Sequence, residues 1–240
     1  MKLCRFNNNR LGVVEGDHVL DVTEALAVLP PVSWPFPPGD LLISLLADVR
    51  TRIEACISSA GRHELKAVQL HSPVANPTKI CAAPVNYVKH LEEAIADEET
   101  FSRAHVRQIH ETGLFLKANS SLIGVSQPVQ LRRLDRRTDH EIELVVIIGK
   151  TANKVPRSRA LDYVAGYTAG LDITLRGPEE RSLRKSIDTY TVLGPWMVTA
   201  DEIPDPGNLA FELPRMALIL VAASGLVNGF AVLRVRYSLR

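Results

Sequence analysis

The chain has 240 residues, room for one large domain or for a domain with a smaller companion, and its 46% apolar and 23% charged content is ordinary for a folded globular protein. A formal net charge of +1 argues against a nucleic-acid or membrane-surface binder. Cys4, Cys56 and Cys81 form no CxxC pair and leave one over, which fits a reducing compartment better than a disulfide framework. The opening "MKLCRFNNNR" has no apolar stretch of signal-peptide type, so the expected location is cytoplasmic.

The N-terminal part reads as short strands and tight turns: "KLCRF", "RLGVVEG" and "HVLDV", separated by "NNN" and "EGD". The prolines of Leu29–Asp40 make that stretch a crossing loop. "LLISLLADVRTRIEACISSAG" then has helical spacing and stops at Gly61. "HSPVANPT" (71–78) is the best linker candidate, dividing a small α+β unit at 1–74 from a main unit at 75–240. The main unit opens with the strand "KICAAPV" and the helical stretch "NYVKHLEEAIADEE", where His90 and Glu93 share a face.

"DHEIELVVIIGK" places Glu141 and Glu143 two residues apart, ahead of an uncharged run that reads as a buried strand. On one strand face the two carboxylates repel by about 2–3 kcal/mol at an effective dielectric near 20. A divalent cation would reverse that, and so would arginines such as Arg132 or Arg136; spacing alone leaves both open. "SRALDYVAG" reads as a short helix. In "YTAGLDITLR", Tyr167, Ala169, Leu171, Ile173 and Leu175 share one face, and Asp172, Thr174 and Arg176 the other. Asp172 is therefore the natural third carboxylate of a metal site. "TVLGPWMV" is a further apolar strand, and "TADE" has the form of a capping box from Thr199 to Glu202. Met216–Leu233 is uncharged over 18 residues but carries the turn pair Asn228–Gly229, so a hairpin is favoured over a membrane helix.

Three motifs fail. "HEIEL" lacks the second histidine of a zinc-protease helix, and "GKT" lacks the glycine that opens a phosphate loop. "RRLDRR" has no interleaved aromatics and reads as a solvated turn. The patterning as a whole predicts a β-rich α+β fold.

Six blocks occur in one order: "NYVKHLEE", "GLFLKANSS", "DHEIELVVIIGK", "ALDYVAGYTAGLDITLR", "RKSIDTYTVLGPW" and "VTADEIPDP". Together they closely resemble the fumarylacetoacetate hydrolase family over roughly Lys79–Leu209, in wording similar to the isomerase and decarboxylase branch of homoprotocatechuate breakdown. The resemblance implies a mixed β-sandwich or pseudo-barrel catalytic domain behind a small N-terminal domain, commonly as a homodimer. It implies metal ligation by Glu141, Glu143 and Asp172, with Mg2+ or Mn2+ as the ion and Ca2+ as a larger alternative. Catalytic roles fall on Lys185, His90 and Glu93, and substrate contacts on Lys117, Arg176 and Asn86. The implied substrate is a 2-oxo or β-diketo acid from aromatic catabolism, undergoing isomerisation, decarboxylation or C–C hydrolysis. Two departures stand out. Gly177 and Pro178 follow the strand arginine where the family commonly has an acidic residue. The chain also stops soon after "VNGF", so its C-terminal part is expected to be truncated or diverged. A non-catalytic metal-binding relative acting as an interaction protein is the alternative reading.

Overall fold

A computed structural model describes residues 1–84, 113–211 and 235–236. Its organising feature is a nine-stranded sheet made almost wholly of antiparallel pairs. Strands β1 (Lys2–Phe6), β2 (Arg10–Glu15), β3 (His18–Asp21) and β4 (Gly61–Glu64) form a meander on one side. The other side is built by β9 (Thr138–Ile148), β10 (Val164–Leu175) and β11 (Thr191–Thr199), in the overall order β4-β3-β2-β1-β11-β10-β9. Strand β5 (Leu70–His71) pairs with β1, and β8 (Leu122–Gly124) runs parallel to β11. Two short ladders stand apart: β6 (Ile80–Ala82) with β7 (Phe115–Lys117), and β12 (Ala210–Phe211) with β13 (Val235–Arg236). The fold is α+β and strand-rich, as the patterning predicts.

The two halves of the sheet meet on β11, whose Thr191–Leu193 pair with β8 and whose Met197 and Val198 pair with Leu3 and Lys2 of β1. Pro195 falls between the two partners, where a residue without an N–H cannot serve a ladder, and the β10–β11 register shifts at the same place. Residues 1–74 thus contribute strands to the same sheet as the later chain.

Period-2 alternation sorts the core. Leu3, Leu11 and Val13 pack with Val49 and Ile53 of the helix α2 (Leu46–Cys56), while Cys4, Phe6 and Val14 on the opposite face pack with Val19, Val68 and Leu70. The one-turn helix α1 (Leu41–Ser44) precedes α2, and its cap Asp40 accepts from Ile43 through one oxygen. The other oxygen of Asp40 accepts from the amides of Ala75 (2.6 Å) and Asn76 (3.2 Å), tying the helical layer to the linker segment.

Three local expectations need correcting. The run 144–148 is not uniformly buried: Ile147 is 5% exposed, but Val146 and Ile148 are 46% and 54% exposed. Absence of charge reported a strand; alternation decided which side chains were covered. "SRALDYVAG" is split, with a 3-10 segment at Arg157–Tyr163 giving way to β10 at Val164. "TADE" makes no capping box: the Thr199 hydroxyl accepts from the Met1 amine (2.8 Å), which also forms an ion pair with Glu202. The long-range contact with the N-terminal ammonium stands in place of the local cap. The Asn228–Gly229 turn lies outside the described residues.

Candidate active site

The polar face of β9 and β10 is set by register. Asp172 pairs directly with Glu141, Gly170 with Glu143 and Thr174 with Asp139, so these side chains stand on one side of the sheet. On β10's other neighbour, Thr191 is the partner of Asp172. Glu143 thus occupies the next same-face position along β9, opposite a residue with no side chain.

Lys185 closes this face. It follows the short helix Arg181–Arg184, and its buried ammonium donates to Glu141 (2.7 Å), to Asp172 (2.7 Å) and to the Thr174 hydroxyl (2.6 Å). Lys117 at the end of β7 reaches the other oxygen of Asp172 and donates to the Tyr190 carbonyl (3.0 Å). Burial pushes the Lys117 ammonium down, the charge of Asp172 opposes that, and Lys185 adds to it. Arg176 spans Asp139 (2.7 Å) and Glu141 (3.0 Å). The arginine on Glu141 is therefore Arg176, at the end of β10, and not Arg132 or Arg136.

Arg136 has another task. It donates twice to the Arg176 carbonyl and grips both oxygens of Glu179 at 2.7 Å. Gly177 makes room for it: a Cβ there would lie 1.5 Å from an Arg136 nitrogen. Arg184 ties the same turn from within, donating to the carbonyls of Glu179 (2.6 Å) and Leu175 (3.3 Å). The turn that carries Lys185 back to Asp172 is thus braced by two arginines. The hydrogen bonds from Arg136 hold the Glu179 carboxyl down at about 2, against an ordinary 4.5. A carboxyl depressed on folding stabilises the fold fully above 4.5, and that contribution fades as pH falls towards about 2. Acid titration of unfolding should show Arg136→Gln losing less stability than wild type across that window; parallel curves would mean the clamp is not formed in solution.

The structure brings together Glu141, Asp172, Lys185, Lys117 and Arg176 of the expected site. Glu143 lies on the same face, but among the described residues no group of three or more His, Cys, Asp or Glu side chains is close enough to hold a metal ion. His90, Glu93 and Asn86 lie outside the described residues. Sequence reasoning missed Thr174 as a Lys185 partner, although its alternation with Asp172 was a usable signal. It also missed Phe115, whose ring lies 5.8 Å from the Lys185 ammonium and 5.4 Å from the Arg181 guanidinium. No sequence signal connects residues 115 and 181.

Two facing carboxylates bridged by a buried lysine, with cations on every side, define a site suited to anionic oxo compounds. Residues 79–216 match the family described as fumarylacetoacetate (FAA) hydrolase C-terminal, and the chain belongs to that enzyme family. It is 57% identical over 215 residues to a maleylpyruvate hydrolase of Aquipseudomonas alcaligenes, covering 89% of this chain and 75% of that one. Among solved structures it is similar to the maleylpyruvate hydrolase of Sphingobium sp. SYK-6 in complex with manganese(II) and pyruvate. There the identity is 40% and the TM-score 0.68, over 87% of this chain and 71% of that one. It is also similar to a probable 2-hydroxyhepta-2,4-diene-1,7-dioate isomerase from Mycobacterium abscessus. That likeness has 26% identity and a TM-score of 0.58, over 82% of this chain and 63% of that one.

Proposed function

We propose that this chain is a divalent-metal-dependent enzyme of aromatic catabolism that acts on a 2-oxo or β-diketo acid, with C–C hydrolysis of a maleylpyruvate-like substrate as its reaction. The observation that carries the reading is the direct pairing of Glu141 with Asp172, with Lys185 bonded to both. The 57% identity to a maleylpyruvate hydrolase favours hydrolysis over the isomerase and decarboxylase outcomes.

By chemistry the donor set suits a hard divalent ion, although Lys185 bridges Glu141 and Asp172 and the three carboxylates do not stand close enough to hold one as they lie. Glu141 and Asp172 are register partners, Glu143 is the adjoining carboxylate on that face, and all three offer oxygen. Mn2+ or Mg2+ held by these three would supply Lewis-acid polarisation of the substrate's keto oxygen. The protein's own groups do the rest. Lys185 presents fixed positive charge where an enolate oxygen develops, and Thr174 fixes its direction. Lys117 holds Asp172 in aim from beneath, and Arg176 does the same for Glu141. His90, oriented by Glu93, is assigned the activation of water. Asn86 is assigned the substrate's polar groups; Lys117 and Arg176, which the resemblance also places there, are held by Asp172 and by Asp139 and Glu141. The reading extends to a homodimer in a reducing cytoplasm, with which the free thiols of Cys4, Cys56 and Cys81 accord.

Glu143→Ala tests the reading. The variant should lose Mn2+ binding by calorimetry and lose turnover of acylpyruvates by at least about a hundredfold. Wild-type turnover should also stop in EDTA and return with Mn2+. Metal-dependent activity unchanged in the variant would sink the assignment. Metal binding by wild type without any turnover would favour the non-catalytic alternative.

A further inference from the structure

We propose that Arg181, seated on the ring of Phe115, docks a second carboxylate of the substrate and thereby selects dicarboxylic over monocarboxylic oxo acids. The inference rests on the functional reading above and adds a specificity residue to it.

The neighbouring cations are already engaged. Lys117 and Lys185 bind Asp172, Arg176 binds Asp139 and Glu141, Arg136 binds Glu179, and Arg184 binds two carbonyl oxygens. Arg181 differs. Among the described residues its guanidinium has no carboxylate or carbonyl partner, and its contact is the Phe115 ring at 5.4 Å. An aromatic face orients a guanidinium flat while leaving its N–H edge open, which suits a carboxylate taken in bidentate fashion. The same ring lies 5.8 Å from the Lys185 ammonium, so Phe115 is shared by the spare cation and the lysine bonded to Glu141 and Asp172. Phe115 and Lys117, two residues apart, share one face of β7, which is why one short strand reaches both the Asp172 carboxylate and the Arg181–Lys185 pair.

The remaining question is what anion Arg181 serves. Glu179 and Glu180 are its nearest acidic neighbours in sequence, but Glu179 is taken by Arg136, and among the described residues no ion pair joins Glu180 to Arg181. A substrate that offers one carboxylate to the Glu141–Asp172–Lys185 end and carries another at its far end would complete the arrangement. A monocarboxylic acylpyruvate ending in a methyl group would leave Arg181 with water.

The experiment compares maleylpyruvate with acetylpyruvate on the full chain with Mn2+. Acetylpyruvate is followed by turnover or, where it is not cleaved, as a competitive inhibitor. Arg181→Gln should lower the preference for maleylpyruvate, taken as the ratio of kcat/KM values or of KM to Ki, by about 10- to 100-fold. Arg181→Lys, which keeps charge but not the fork, should lose part of that preference, and Phe115→Leu should lose part of it by freeing the guanidinium. An Arg181→Gln variant that weakens both compounds equally, or neither, overturns the inference and leaves the metal-enzyme reading standing. A wild-type chain that takes neither compound overturns that reading and this one with it. An unchanged unfolding midpoint in Arg181→Gln would confirm that the preference is lost from a folded protein.

Discussion

Asp172→Asn should lower the unfolding free energy by about 3 kcal/mol or more, because it strips one carboxylate from two buried ammonium groups at once. Lys117 and Lys185 both bond to Asp172, and neither is exposed enough for water to take its place. The asparagine keeps an acceptor oxygen but not the charge, so Glu141 would be left to balance Lys185 alone while Lys117 keeps only the Tyr190 carbonyl. Denaturant titration gives the number. A double variant that also carries Lys117→Met should recover part of the loss, since it removes the stranded cation. A loss below about 1 kcal/mol in Asp172→Asn would show that the two lysines are hydrated or neutral in solution.

Gly124→Ala should be comparably damaging for a steric reason. A Cβ on Gly124 would lie 2.3–2.4 Å from the backbone of His71 and Ser72, where β8 passes β5. Backbone cannot rotate aside as a side chain can, so one strand has to move and disturb the pairing of β8 with β11 or of β5 with β1. Overpacking of this kind costs about 1–3 kcal/mol in a core that can adjust, and the upper end or beyond is expected here. Thermal unfolding would show it, and because Leu122 is the register partner of Thr191, itself the partner of Asp172, metal affinity should fall in parallel. A variant as stable as wild type would mean that the two strands do not approach so closely.

The site was legible in the sequence to the extent that alternation and charge could carry it. Glu141 with Glu143, and Asp172 with Thr174 and Arg176, follow from counting by twos, and pairing of β9 with β10 turns those counts into one surface. The partner of Glu141 was not legible that way, because Arg176 arrives from the adjacent strand, whereas Arg136 is spent on a turn that Gly177 leaves open. Phe115 beneath Arg181 and Lys185 is likewise a consequence of where β7 docks. Thr199 and Glu202 have the letters of a local cap, yet both are taken by the Met1 amine. The linker composition of 71–78 signals a break in local structure, and the hydrogen bonding between β1 and β11 joins the chain on either side of it.

That last pairing also has a temporal meaning. Lys2 and Leu3 find their partners at Val198 and Met197, nearly the whole described chain away. β1 is made long before β11, so the Lys2–Leu3 part of its edge is uncovered until β11 arrives. During that interval β1 to β3 can form a meander and gather α2, and β5 can cover Arg5 and Phe6, but the Lys2–Leu3 end of β1 stays open to a passing strand. Folding should therefore be slow for the chain's size, limited by a long-range closure. The half-made protein depends on that closure, because Asp172 and Lys185 lie on the far side of it.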